Sequence, residues 1–177
     1  MKKLILFICI PIFCFSQKYK VVDSEVSFFS YAPLENITAS SEELQGIIDL
    51  SSGEFFFRLP IKSFSFKRSL MQTHFNDKYM ESDKFPNSIF KGKSDELKEH
   101  ITKIINTLNN NLSDNSEKSL VSKQLEKVFE QGVLVEGILS IHGKEKNIKI
   151  KVVINPELDR IRFFSIFFVK TEDFNIK

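Results

Sequence analysis

The chain has 177 residues, of which 25 are basic and 23 acidic, and the resulting net charge of +2 supplies no concentrated positive field to support a nucleic-acid partner. Nineteen phenylalanines stand against three tyrosines and no tryptophan, so the rings carry almost no polar handles and a dry, apolar construction is expected.

Met1-Lys2-Lys3 precedes an apolar run from Leu4 to Phe15, followed by Ser16-Gln17-Lys18. This is the layout of a secretory signal, too short to span a bilayer, with Cys14 and Ser16 fitting a cleavage site after Ser16. Residues 1–16 are therefore expected to be a signal peptide, and residues 17–177 one exported domain, periplasmic or secreted and without a membrane span. Both cysteines, Cys9 and Cys14, lie inside the signal. The mature chain thus has no disulfide, thiolate metal ligand or cysteine nucleophile. It also loses two lysines, which leaves 23 basic against 23 acidic residues.

Early strands are expected at Tyr19 to Val22, Glu25 to Tyr31 and Gln45 to Leu50. From Glu54 onward Phe55, Phe57, Leu59 and Ile61 alternate with Phe56, Arg58, Pro60 and Lys62, a strand pattern. The phase slips at Lys62-Ser63, because Phe64 and Phe66 fall on even positions, and a bend of the β-bulge type is expected there. Between Lys93 and Gln131 the period becomes helical. Leu97, Ile101, Ile104, Ile105, Leu108 and Leu112 form one stripe, and Val121, Leu125, Val128 and Phe129 form another. Asn109-Asn110-Asn111 and Ser113-Asp114-Asn115 read as the linker of an antiparallel helix pair, residues 94–131, inserted in the sheet. The pair covers a strand or a cavity mouth, or is a packing insertion that the fold tolerates losing.

Val133, Val135, Gly137, Leu139 and Ile141 alternate, as do Ile148, Ile150, Val152 and Ile154 beyond Gly143-Lys144, which predicts a hairpin. Arg160 to Val169 predicts a last strand with Phe163, Phe167 and Val169 on one face and Phe164, Ile166 and Phe168 on the other. Both faces are apolar, which implies a covering layer, a partner or an enclosed ligand.

Three stretches carry a resemblance. Met71-Gln72-Thr73-His74-Phe75-Asn76, with Tyr79 to Pro86 and Ile89-Phe90-Lys91-Gly92, resembles the central signature of the YceI-like family of exported lipid-binding proteins. Val135 to Gly143, ending Leu139-Ser140-Ile141-His142-Gly143, is similar to its second signature, and Glu172-Asp173-Phe174-Asn175-Ile176 to its late acidic-Phe segment. The resemblance implies a mainly β, antiparallel, lipocalin-like barrel with the helix pair inserted, and a long isoprenoid or other long apolar lipid as the ligand in its lumen. The helical segment is longer than the family's usual connection. Relatives continue into a closing strand where this sequence stops at Lys177, so the expectation is a barrel missing that strand, in which either the sequence is a truncated product or something else closes the gap.

Taken with the alternation, the resemblance implies that Phe55, Phe57, Phe90, Leu139, Ile141, Phe163 and Phe167 line a lumen holding a lipid tail. Each buried methylene of such a tail contributes roughly 0.8 kcal/mol, so few polar contacts are needed.

No catalytic motif competes with this reading, and no cofactor or metal is expected. Gly137 to Lys144 has the outline of a phosphate loop, but five residues separate Gly137 from Gly143 and Glu145 stands where a hydroxyl should hold magnesium. Serine-hydrolase, zinc-protease and dinucleotide fingerprints are absent. His74, His100 and His142 lack metal-ligand spacing; His74 and His142 are expected to make structural hydrogen bonds, and His100 to sit on the polar face of the first helix. Glu81, Asp83 and Lys84 either orient a headgroup or form a solvated loop. The competing class is an envelope interaction or stress-response module with no ligand of its own.

Overall fold

A computed structural model describes residues 17–31, 36–111, 132–157 and 160–176. The signal, the expected second helix and its Ser113-Asp114-Asn115 linker lie outside the described residues.

Ten strands and two α-helices make up the described chain: β1 Lys18–Lys20, β2 Val26–Ser30, β3 Ile37–Ser41, β4 Gln45–Asp49, β5 Glu54–Pro60, β6 Ser65–Phe66, α1 Ser69–His74, β7 Asn87–Lys93, α2 Asp95–Asn111, β8 Val133–Ile141, β9 Lys144–Pro156 and β10 Ile161–Ser165. Seven strands form one antiparallel sheet in the order β1-β4-β5-β7-β8-β9-β10, and β2-β3-β6 form a second. The large sheet curls into a half-barrel whose outermost strands are β1 and β10. This half-open form agrees with the expected antiparallel barrel that lacks its closing strand.

Local sequence explains the joints. In β5 the alternation places Phe55, Phe57 and Leu59 on the inner face and leaves Phe56 exposed outside. The expected bend at Lys62-Ser63 is present, as a single 3-10 turn over Ile61–Ser63 rather than a bulge. Pro60 has no N–H to extend the ladder. Instead the Ile61 N–H reaches the Pro86 carbonyl at 2.8 Å, and the Ser63 hydroxyl donates to the Pro60 carbonyl at 2.6 Å. After the turn the chain joins the small sheet as β6. Between β8 and β9 the two-residue connection is His142-Gly143, with φ of 49° and 70°, the left-handed pair that a tight hairpin needs.

Two apolar cores lie on the inner face. The larger contains Ile48, Phe55, Val133, Val135, Ile150 and Ile154 together with Leu97, Ile101 and Ile104 of α2. Ser94 caps that helix, its hydroxyl accepting the Leu97 N–H at 3.1 Å, and Asp95 and Glu96 suit the positive end of its dipole. Leu97, Ile101 and Ile104 are each at least 96% buried, which stabilises by about 1.5–3 kcal/mol per side chain relative to exposure. The helix is therefore part of the core, not the accessory expected from its position between glycines. It also runs through Asn111, so the three asparagines expected as a linker continue its last turn. The smaller core holds Ala39, Leu59 and Phe64, with Phe28, Phe66 and Phe75 packed against them. Leu59 follows Phe57 on the same face of β5, so one stripe joins the two cores.

The last strand is shorter than expected. Strand pairing ends at Ser165, and residues 166–170 are irregular and exposed, with Phe168 99% accessible. A 3-10 turn at Thr171–Phe174 then returns the chain to the body and buries Phe174.

Candidate functional site

Antiparallel register brings four of the seven expected lining residues together. Gly46 pairs with Phe57, Phe57 with Phe90, and Phe90 with Leu139, a row across β4, β5, β7 and β8. Phe55 lies beside it, its ring 5.1 Å from that of Phe90 and 6.1 Å from that of Phe57. Glycine shapes this surface. A Cβ on Gly46 would collide with the Phe57 ring, and one on Gly137 would come within 2.7 Å of Phe90. Both rings lie against backbone that only glycine leaves open.

Burial divides this set. Phe55 is closed beneath α2 and Leu139 is buried, whereas Phe57 and Phe90 are half-buried at the border of the larger core. Ile141, two residues further along the same face of β8, is also half-buried. Between the two closed cores the inner face is thus a band of partly exposed rings and alkyl groups.

Phe163 and Phe167 do not join it. Phe163 pairs with Ile154 on the outermost strand, whereas Leu139 pairs with Lys146. Those β9 partners are eight residues apart, roughly 26 Å at the rise of a strand. Phe167 lies outside any strand, 43% exposed. The strand expected through Val169 would have carried Phe167 onto the inner face, and its end at Ser165 removes that.

The three signature stretches converge at His142. Its Nε2 lies 2.9 Å from the Glu81 carboxylate and its Nδ1 3.1 Å from the Phe174 carbonyl, while Phe85 packs edge-on at 4.6 Å. The imidazole thus ties the Glu81 loop and the Phe174 turn to the β8–β9 corner, the structural hydrogen bonding expected of it. Asp83 pairs with Lys62, and the Lys84 ammonium lies 4.9 Å from the Phe85 ring centre. His74 is half-buried in the last turn of α1 and makes none of the described side-chain hydrogen bonds. His100 lies half-buried on α2, where burial and then repulsion from Lys103 depress its proton affinity.

One polar atom at the site was not anticipated. Asn76 Oδ1, in the turn after α1 beside Phe75, is the buried side-chain acceptor without a partner among the described residues. An asparagine between a half-buried His-Phe pair and Asp gives no sequence signal of such isolation. It can accept a hydrogen bond from a ligand hydroxyl or a water.

Two cavities are described, one away from the Phe57–Phe90–Leu139 row and one whose lining includes Phe55 and Gly137, and lysines contribute to the lining of each. One, of about 420 Å³, runs along the outer face of α2 past Lys98, Thr102 and Asn106. Another, of about 610 Å³, lies on the sheet between Lys18, Asp49, Phe56, Lys91 and Lys93. Among the described residues no cluster of three or more His, Asp or Glu side chains is placed to hold a metal ion, and no helix is long and apolar enough to cross a membrane.

Comparison with known proteins agrees with this geometry. The model of the YceI-like domain matches residues 19–177. A polyisoprenoid-binding domain from Saccharophagus degradans is similar in structure, with a TM-score of 0.55 and 15% identity over 92% of this chain and 78% of that one. The Campylobacter jejuni YceI protein is similar at a TM-score of 0.54 and 15% identity, over 83% and 75% of the two chains. No curated protein sequence matches this chain.

Proposed function

The chain belongs to the YceI-like family, and we propose that it binds the apolar tail of an isoprenoid or other lipid on the inner face of its half-barrel, as a carrier and not as a catalyst. The observation that carries this reading is the row Phe57–Phe90–Leu139, where the Phe57 and Phe90 rings remain half-buried beside the buried Leu139, between two closed cores. Water against such rings is unfavourable by about 25 cal/mol per Å², and a tail laid over them removes that cost. The polyisoprenoid-binding description of the Saccharophagus degradans neighbour supports the ligand class. The signal-like residues 1–16 support export to the cell envelope.

Lipid extraction and mass spectrometry of protein purified from its native compartment test the reading. A stoichiometric prenyl or acyl species is expected. In a parallel titration, Phe57→Asp should weaken a fluorescent prenyl or acyl probe by burying an unpaired charge, with circular dichroism reporting the fold. A folded variant that binds as tightly as the parent removes Phe57 from the site, and a parent that binds no probe overturns the carrier.

A second reading, an envelope interaction module, is favoured by the exposed run from Phe163 to Val169. Its mark is a lipid-free protein that copurifies with a partner.

A further inference from the structure

We infer that α2 is a stop that fixes how long a tail the half-barrel accepts, so that this chain selects short tails over long ones. The inference rests on the binding proposed above and names the feature of the ligand that the site reads.

The sheet's apolar inner face is longer than the part left open. On β9 it continues through Ile148, Ile150, Val152 and Ile154, about 20 Å of strand at the usual rise, and on β8 through Val135 and Val133. A tail lying along the strands from Phe57 would follow this track past Phe55. It meets α2 instead. The helix starts directly after β7, capped by Ser94, and sets Leu97, Ile101 and Ile104 against Phe55, Val133, Val135 and Ile150. Burial marks the boundary sharply: Phe55 is 4% exposed under the helix, while Phe57, two residues on and facing the same way, is only half-buried. Close-packed side chains yield little to an extra methylene, so the α2 isoleucines act as a wall.

The stop is built by a helix, and a helix presents its apolar stripe as a ridge of separate side chains. Trimming one of them should move the wall without moving the sheet. Ile101 and Ile104 form its fully buried part, and Ile105 is half-buried at its margin.

The test is a competition series. Saturated fatty acids from octanoate to docosanoate, and prenyl alcohols from geraniol to solanesol, displace a fluorescent acyl probe from the full chain. For the parent, affinity should climb with each added carbon and then fall at least tenfold past a cut-off within the series. In Ile101→Ala and Ile104→Ala the cut-off should move to longer tails, with affinity for the shortest tails within twofold of the parent. Ile105→Ala is the milder variant that keeps the test decisive if the buried alanines fail to fold; it should shift the cut-off by fewer carbons. An unbroken rise of parent affinity through docosanoate and solanesol overturns the stop, as does an unmoved cut-off in a folded variant. Failure of the parent to bind any member is a different result: it overturns the carrier reading itself, and the stop with it.

Discussion

Helix α2 and the run from Phe163 to Val169 are both rich in large apolar side chains, yet Leu97, Ile101 and Ile104 are almost fully buried while Phe164, Ile166 and Phe168 are 57%, 74% and 99% exposed. The difference is one of geometry, not hydrophobicity. A helical stripe at three- and four-residue steps points one way, so a single surface, built from β5, β8 and β9, buries Leu97, Ile101 and Ile104 together. Phe163 and Phe164 lie on opposite faces of β10 and need two covers, while Ile166 and Phe168 lie past the end of the strand at Ser165. Only Ile161, at its start, reaches the larger core. Apolar content alone therefore says little about burial; the number of faces that must be covered says more.

The sharpest way to break this comparison is to remove one buried side chain of α2. Ile101→Ala should cost about 2–5 kcal/mol through lost transfer energy and the cavity left behind. Urea unfolding followed by circular dichroism measures it. A loss below 1 kcal/mol would mean that the helix rides on the sheet, as its sequence context suggested, and does not belong to the core.

Such errors of reading have physical causes. Between Gly92 and Gly132, with family-like strands on either side, α2 has the look of an addition, and periodicity reports which side of a helix is apolar but not what it meets. Strands β5, β8 and β9 were legible because their alternation is long and unbroken. Strand β3, Ile37-Thr38-Ala39-Ser40-Ser41, was not, since small and hydroxyl side chains carry no apolar alternation even where Ala39 and Ser41 are buried. At the site, Phe55, Phe57, Phe90 and Leu139 came together because they share strand phase. Phe163 joins that expectation through strand phase and the family resemblance, and neither reports distance along the sheet.

A second experiment asks what holds the exposed run in place. It is tied at one end by pairing with β9 and at the other by Phe174, whose carbonyl faces His142. His142→Ala removes the contacts to that carbonyl and to Glu81, and should cost about 1–3 kcal/mol. Amide hydrogen exchange should accelerate over residues 171–176 more than over α2. Equal acceleration in both segments would show that the two regions open together and are not independently held.

Smaller still is the expected effect at the tip of the run. Phe168 makes no buried contact, so Phe168→Ser should change unfolding free energy by no more than about 0.5 kcal/mol while reducing self-association measured by light scattering. A loss as large as that of Ile101→Ala would show that the segment is covered in solution.

The smallest effect belongs to His100 and separates the two regions by pH. Burial on α2 disfavours its charged form, and Lys103 adds to this while Glu96 opposes it, so the folded chain holds the proton less tightly than the unfolded one. The sign follows from linkage. Above the ordinary histidine value of about 6.5 both states are neutral at this site and the group contributes nothing. As pH falls through that value the unfolded chain takes up a proton that the folded chain resists, and stability declines. His100→Gln should flatten the part of the stability profile between about pH 7 and pH 5 that this residue causes. Hydrogen exchange in α2 should slow in the variant at the acid end, while residues 166–170, remote from this titration, should exchange at an unchanged rate. An unaltered profile would mean that His100 is solvated in both states and that the buried stripe of α2 does not extend its influence to the helix flank.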